Sequence, residues 1–275
     1  MTMIDVGALA ELMRDAAAAE IMPRFRRLGA GDVRVKTEAT DLVTEADEQA
    51  ERMMRAHMPA ILPGALFIGE ESVAADPALL AQLDDADLAV IVDPVDGTAN
   101  FASGLPLFAV MASVVVKGEA VAGIIYDPLA DDFVMAEKGA GAFMRRPDGS
   151  EERISVASPV ALEKMQGTAS VSSLAADIKP VALANLAKVR ASSSFRCAAH
   201  EYRLMAGGHI HFAMFRKLLP WDHVAGVLIA QEAGAHVARL DGSAYLPEHK
   251  KGGLLAATDI DSWTTLRDQV FPFTI

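Results

Sequence analysis

Two aspartates, a glycine and a threonine follow directly on a short apolar run, where Leu88-Ala-Val-Ile-Val92 leads into Asp93-Pro-Val-Asp-Gly-Thr-Ala-Asn-Phe101. The run is continuous and rich in β-branched residues, as a strand buried on both faces should be. Its end then lies in the interior, where unpaired carboxylates are costly and a divalent cation is a natural partner. Pro94 and Gly97 mark a tight turn, and Gly97-Thr98 can open a helix whose free backbone N–H groups would hold a phosphate. An Asp-rich turn with an N-cap has the same composition. On this stretch alone, both readings stand.

Three further acidic motifs surround it in sequence. Lys36 to Asp47 is polar and leads into a helix with Ala50, Met53, Met54 and Met58 on one face; Thr44 and Asp47 have the spacing of a capping box. Phe67-Ile-Gly-Glu-Glu-Ser72 is a short apolar entry into a glycine and two acids, Glu70 and Glu71, for which a solvated loop is the simplest account. Asp222 in Trp221-Asp-His-Val-Ala-Gly226 starts a helix that it could simply cap.

The elements that must position these residues read as follows. Leu9, Leu12, Met13, Ala16, Ala17 and Ile21 recur at helical spacing up to Pro23, predicting an amphipathic first helix. After the central motif, Leu107 to Val116, Ala120 to Tyr126, Asp132 to Glu137 and Gly141 to Arg145 predict an antiparallel meander turned at Lys117-Gly-Glu, Asp127-Pro and Lys138-Gly. A change of composition near Arg146 to Ser150 puts a boundary around Ser155 to Ser158, giving halves 1–155 and 156–275. The second half alternates: strands near Gly167 to Val171, Val189, Ile210 to Phe215 and Leu254 to Ala257, and helices near Leu174 to Ala187, Ala198 to Met205, Asp222 to Ala233 and Ile260 to Val270.

Composition bounds the function. The chain has 275 residues, 52% apolar and 23% charged, enough to bury a core in one large or two moderate domains. A net charge of −12 argues against nucleic-acid binding through a basic surface. A single cysteine, Cys197, excludes an intramolecular disulfide framework and a Cys-type zinc site. The acidic N-terminal residues do not make a signal peptide, and the longest apolar stretch, Leu107 to Val116, is about half a membrane span. The expectation is a cytoplasmic protein without a membrane partner.

In this order and spacing, Asp41-Leu-Val-Thr-Glu-Ala-Asp47, Gly69-Glu-Glu71, Asp93-Pro-Val-Asp-Gly-Thr98 and Trp221-Asp-His-Val-Ala-Gly226 resemble the inositol monophosphatase family, a branch of the Mg²⁺-dependent, lithium-sensitive phosphatases that include fructose-1,6-bisphosphatases. The resemblance implies a layered α-β-α-β-α fold of mixed α+β and α/β character, a homodimer, and a site using two to three Mg²⁺ ions, with Mn²⁺ as a substitute and Li⁺ as an inhibitor. It implies that Glu70, Asp93 and the carbonyl of Val95 hold one ion, that Asp93, Asp96 and Asp222 hold a second, and that Glu70 helps hold a third. Asp47 and Thr98 would activate water, while Gly97, Thr98 and Lys36 would serve phosphate. A carboxylate cluster of this kind is the expected environment for Mg²⁺, and paired ions suit attack of water on a phosphomonoester.

The match weakens where the alcohol would be read. In inositol-specific members, a Gly-Ser/Thr-Ala-Ala segment and a glutamate seven residues before the Trp-Asp aspartate contact the ring. Here the first reads Phe195-Arg-Cys-Ala-Ala-His-Glu-Tyr202 and the second is Phe215, which cannot accept a hydroxyl hydrogen bond. Arg196, His200, Glu201 and Phe215 are the candidate substrate contacts, with His200 more simply explained as a helix-surface or core histidine bonded to backbone. Cys197 reads as a small buried residue. Arg190, Arg216 and Lys217 suit either a second anionic group or a solvated surface. The expected activity is hydrolysis of a small polar alcohol phosphate such as inositol monophosphate. Histidinol phosphate, a nucleotide 3′-phosphate or a sugar bisphosphate are alternatives, as is a non-catalytic binding protein retaining the fold.

Overall fold

The computed structural model describes residues 4–29, 31–36, 42–172 and 174–273. The first helix, α1 (Val6–Ala16), runs on through one looser turn at Ala17–Ile21, and Leu9, Met13 and Ala16 of its apolar stripe are fully buried. A small antiparallel hairpin follows, β1 (Val33–Val35) with β2 (Leu42–Thr44). Strands of three residues are too short to show alternation, so the polar sequence gave no sign of them. Thr37 to Asp41 lie outside the described residues. Helix α2 (Glu45–Ile61) opens with the expected capping box and buries Ala50, Met54 and Met58.

Strand β3 (Leu66–Gly69) leads straight into α3 (Glu70–Ala75), so Glu70 and Glu71 begin a helix and the solvated-loop account is overturned. Strand β4 (Leu88–Asp96) and the short helix α4 (Thr98–Ala102) carry the central motif. The meander then runs through β5 (Ala109–Val116), β6 (Glu119–Asp127), β7 (Asp132–Glu137), β8 (Gly141–Arg145) and β9 (Glu151–Ile154). Strand β9 extends it past the expected end; most of its residues are exposed, which left no apolar signature to find. Together β3 to β9 form one seven-stranded sheet in sequence order, parallel between β3 and β4 and antiparallel elsewhere.

The second half contributes β10 (Gln166–Ala169), α5 (Ile178–Leu186), β11 (Ala191–Ser193), α6 (Ala198–Ala206), β12 (Phe212–Phe215), α7 (Pro220–Glu232), β13 (His236–Arg239), β14 (Leu254–Ala257) and α8 (Ile260–Gln269). Helix α5 starts at Ile178 rather than near Leu174, and β11 follows Val189 instead of containing it. Strand β13 had no counterpart in the sequence reading, being four residues with polar ends. The sheet order is β11-β10-β12-β14-β13, with β11, β10 and β12 parallel and β14 antiparallel to both neighbours.

Alternation along the strands sorts the layers. Val110, Ala112 and Val114 of β5 face the helices α1 and α2, whereas Ala109 and Met111 face α6 and α7. Helix α7 packs on β4 to β8 and also on β13, so it lies between the two sheets. Trp263 and Leu266 of α8 close the outer face of the second sheet against Phe212, Met214 and Leu255. The order is α-β-α-β-α, as expected.

Candidate active site

The site begins with an irregularity in β4. Its pairing with β5 is regular to Asp93↔Met111 and resumes at Asp96↔Ala109, so three steps along β4 match two along β5. In a flat strand, residues three apart point to opposite faces; the extra residue of the bulge turns Asp93 and Asp96 to one side. Pro94 has no N–H to lose from the ladder and suits this position. Gly97 then takes φ +90, and a Cβ there would lie 2.9 Å from the Leu107 carbonyl oxygen, so a side chain is excluded both by conformation and by space.

Four carboxylates from three elements line one cavity of about 330 Å³: Asp93 and Asp96 from β4, Glu70 from the first turn of α3, and Asp222 from the first turn of α7. Val95, Gly97 and Thr98 line it as well. Glu70 is brought there by β3, whose Gly69 pairs with Val92 one step before Asp93. Glu51 of α2 fixes this turn: it accepts the N–H of Glu71 at 2.7 Å, the N–H of Ser72 at 2.8 Å and the hydroxyl of Ser72. Sequence reading passed over Glu51, a polar position inside an amphipathic helix; Gly69, against which its carboxylate packs, was the available hint.

Asp47 and Thr98 meet. Thr98 Oγ1 lies 3.0 Å from Asp47 Oδ1 and 2.9 Å from the Val95 carbonyl oxygen, while the other Asp47 oxygen accepts the Thr44 N–H at 2.9 Å. The capping box and the link to the cavity therefore coexist in one fully buried carboxylate. Lys36 Nζ donates to Glu70 at 2.7 Å and to Glu71 at 2.6 Å. It does not itself line the cavity. Among the described residues, no three His, Cys, Asp or Glu side chains are already drawn together as a metal-binding group. The hydrogen bonds show what each carboxylate does instead: Glu70 turns to Lys36, Asp93 accepts the Val95 N–H at 3.0 Å, and Asp96 accepts the Ala199 N–H at 2.5 Å and the Cys197 thiol at 3.2 Å. Through Ala199, Asp96 caps α6, whose own first residues supply no side-chain cap.

Burial and mutual repulsion set the electrostatics. Burial, then the charges of Glu70, Asp96 and Asp222, hold the Asp93 carboxyl well above its ordinary range, and burial with the charges of Asp96 and Glu70 does the same to Asp222. Burial raises Asp96 to about 6 against the hydrogen bonds from Ala199 and Cys197. Burial raises Asp47 to about 7 despite the Thr44 hydrogen bonds, and raises Glu71 to about 8 with help from Glu70. Burial alone would lower the Lys36 ammonium, but Glu70 and Glu71 outweigh it and hold it above its ordinary value.

Of the candidate substrate contacts, Arg196, Glu201 and Phe215 line the cavity and His200 does not. His200 Nε2 sits 3.1 Å from the Phe108 carbonyl oxygen and 4.0 Å from Asp127, turned toward the first sheet, the placement of a backbone-bonded histidine. Glu201 is buried and accepts the Phe195 N–H at 2.9 Å. Cys197 is buried, as expected, and packs beneath Gly97. Arg216 and Lys217 also line the cavity, whereas Arg190 is exposed outside it.

The family model of the inositol monophosphatase family matches residues 5–269. The chain belongs to that family. As an inositol monophosphatase family member it is a phosphatase, a phosphoric monoester hydrolase. It is 32% identical to an inositol-1-monophosphatase of Mesorhizobium japonicum, over 80% of this chain and 79% of that one. It is 30% identical to a fructose-1,6-bisphosphatase/inositol-1-monophosphatase of Thermotoga maritima, over 77% and 76%. Among solved structures, an IMPase of Thermotoga maritima superposes with a TM-score of 0.81 at 26% identity, covering 98% of this chain and 99% of that one. The extragenic suppressor protein suhB of Bartonella henselae gives 0.79 at 28% identity, over 97% and 96%.

Proposed function

We propose that this inositol monophosphatase family phosphatase hydrolyses the phosphomonoester of a small polar alcohol, with Mg²⁺ held by Glu70, Asp93, Asp96, Asp222 and the Val95 carbonyl. The single observation that carries the reading is the convergence of four carboxylates from β4, α3 and α7 on one cavity, where burial and mutual repulsion call for positive charge. An oxygen-only donor set fits a hard cation such as Mg²⁺ or Mn²⁺. When bound, two to three such ions would supply an activated water and neutralise charge on phosphate and leaving oxygen.

The chain's own residues supply the rest. Asp47, raised to about 7 by burial, is placed to take a proton passed through the Thr98 hydroxyl 3.0 Å away. The left-handed turn at Gly97 leaves the N–H groups of Gly97 and Thr98 for phosphate oxygens. Lys36 places one positive charge between Glu70 and Glu71, beside the carboxylate that would hold a cation. Inositol monophosphate is the reference substrate because relatives bear that name. The rest of the proposal is a cytoplasmic homodimer inhibited by Li⁺; no helix among the described residues is long and apolar enough to cross a membrane.

The test is phosphate release from a panel of phosphomonoesters with Mg²⁺, with and without Li⁺. Asp93→Asn and Asp222→Asn are each expected to lower kcat about 100- to 1,000-fold, an effect of the size seen when one stabilising group leaves a transition state. Circular dichroism should show both variants folded. Near-wild-type turnover at saturating Mg²⁺ would remove these residues from the metal site.

A further inference from the structure

The cavity has a second wall with a chemistry of its own. Strands β11, β10 and β12 are neighbours and parallel, and the residues leaving their carboxyl ends all line the cavity: Ser194 after β11, Ser170 after β10 and Arg216 after β12. In open sheets, the carboxyl ends of parallel strands are where ligands bind. This wall faces the same space as the acids of β4 and α3, yet it presents hydroxyls and a guanidinium. Arg216 Nε is buried from solvent and has no hydrogen-bond partner among the described residues. Four other buried side-chain atoms share that condition, on Thr168, Arg203, Arg239 and Tyr245, and none of those residues lines the cavity. A buried N–H donor left unpaired is costly, so an acceptor is expected to reach it. Arg196 adds a second guanidinium at the rim, held in the left-handed conformation at φ 53 with its Nη2 donating to Asn100 Oδ1 at 2.9 Å. Beside Arg216, the ring of Phe215 offers no acceptor to a sugar hydroxyl. Glu201, which also lines the cavity, has its carboxylate turned onto the Phe195 N–H.

We propose that Arg216, with Arg196, Ser170 and Ser194, forms a second oxyanion subsite, selecting phosphomonoesters whose alcohol part carries another anionic group. This rests on reading the cavity as a phosphomonoesterase site. Guanidinium groups recognise phosphate and carboxylate alike through paired N–H donors, so either could occupy it.

Two matched substrate pairs decide: inositol 1-phosphate against inositol 1,4-bisphosphate, and glycerol 2-phosphate against 2-phosphoglycerate. In each pair, the ratio of kcat/KM for the more charged member to that for the less charged one cancels general losses of folding or catalysis. The wild-type ratio is expected to exceed one in at least one pair, which names phosphate or carboxylate as the group bound. Arg216→Ala should lower that ratio by about 10- to 100-fold, through KM, with Arg216→Lys intermediate. A ratio below one in both pairs, or a ratio unchanged in Arg216→Ala, overturns the subsite. If no ester is hydrolysed, the phosphomonoesterase reading fails instead. Calorimetric binding of the same four compounds then decides the subsite: a preference for the charged member that Arg216→Ala abolishes supports it, and equal binding by wild type and variant overturns it.

Discussion

Phe215, at the position where the resemblance implies a ring-contacting glutamate, serves two environments at once. It lines the cavity, yet it is 3% exposed, stacked on Tyr202 with ring centroids 4.7 Å apart and edge-on to His223 at 4.9 Å. Installing the glutamate would not simply restore a hydroxyl reader, because the new carboxylate would lie in an aromatic core. Phe215→Glu is therefore expected to destabilise the fold by about 3 kcal/mol or more in urea unfolding. Inositol phosphate turnover should fall with it. Unchanged stability together with raised inositol phosphate turnover would show that the side chain swings freely into the cavity. A rejection of hydroxyls at Phe215 is thus tied to packing, and a specificity change there needs compensating changes in Tyr202 or His223.

At the scale of elements, the site depends on how closely α7 approaches the first sheet. Gly123 of β6 lies beneath it, and a Cβ at that position would sit 2.7 Å from the Ala225 carbonyl oxygen and 3.0 Å from its Cα. Gly226 of the same helix packs against the Tyr202 ring, leaving no room for a side chain. The backbone of α7 cannot yield locally, so Gly123→Ala must push the whole helix outward. It is expected to cost about 1–3 kcal/mol, as overpacking does. Asp222 rides on the first turn of α7, so kcat should drop as well, more than in a surface glycine substitution such as Gly139→Ala of equal or smaller stability cost. Loss of stability with unchanged kcat would show that Asp222 is positioned independently of the helix body.

Over the whole molecule, two sheets and the helices between them bring together acids that are distant in the chain, and pH reads the strain of that meeting. Asp47 and Asp96 have folded values of about 7 and about 6, above the ordinary carboxylate value of about 4. Between those limits the folded protein binds more protons than the unfolded chain. In chelator, the cluster's contribution to stability therefore falls as pH rises from about 4 through about 7. Cations bind only ionised carboxylates, so the rise in Tm caused by Mg²⁺ should be small at pH 5 and several-fold larger at pH 8. Equal Mg²⁺ shifts at both pH values would separate metal binding from these acids. The sequence by itself determined the strands β4 to β8, the helices α1, α2, α6, α7 and α8, the layered fold through its motifs, and the identity of the acids, because periodicity and turn chemistry are local. It did not reveal β9 or β13, which are short and polar-ended, nor the role of Glu51, which acts through the backbone of a helix nineteen or more residues away. Only the tertiary structure decided that the bulge at Pro94 turns Asp93 and Asp96 to one side. It alone set His200 against the first sheet and Arg216 into the cavity, because side-chain direction at the end of a strand depends on register and on neighbours from the other half of the chain.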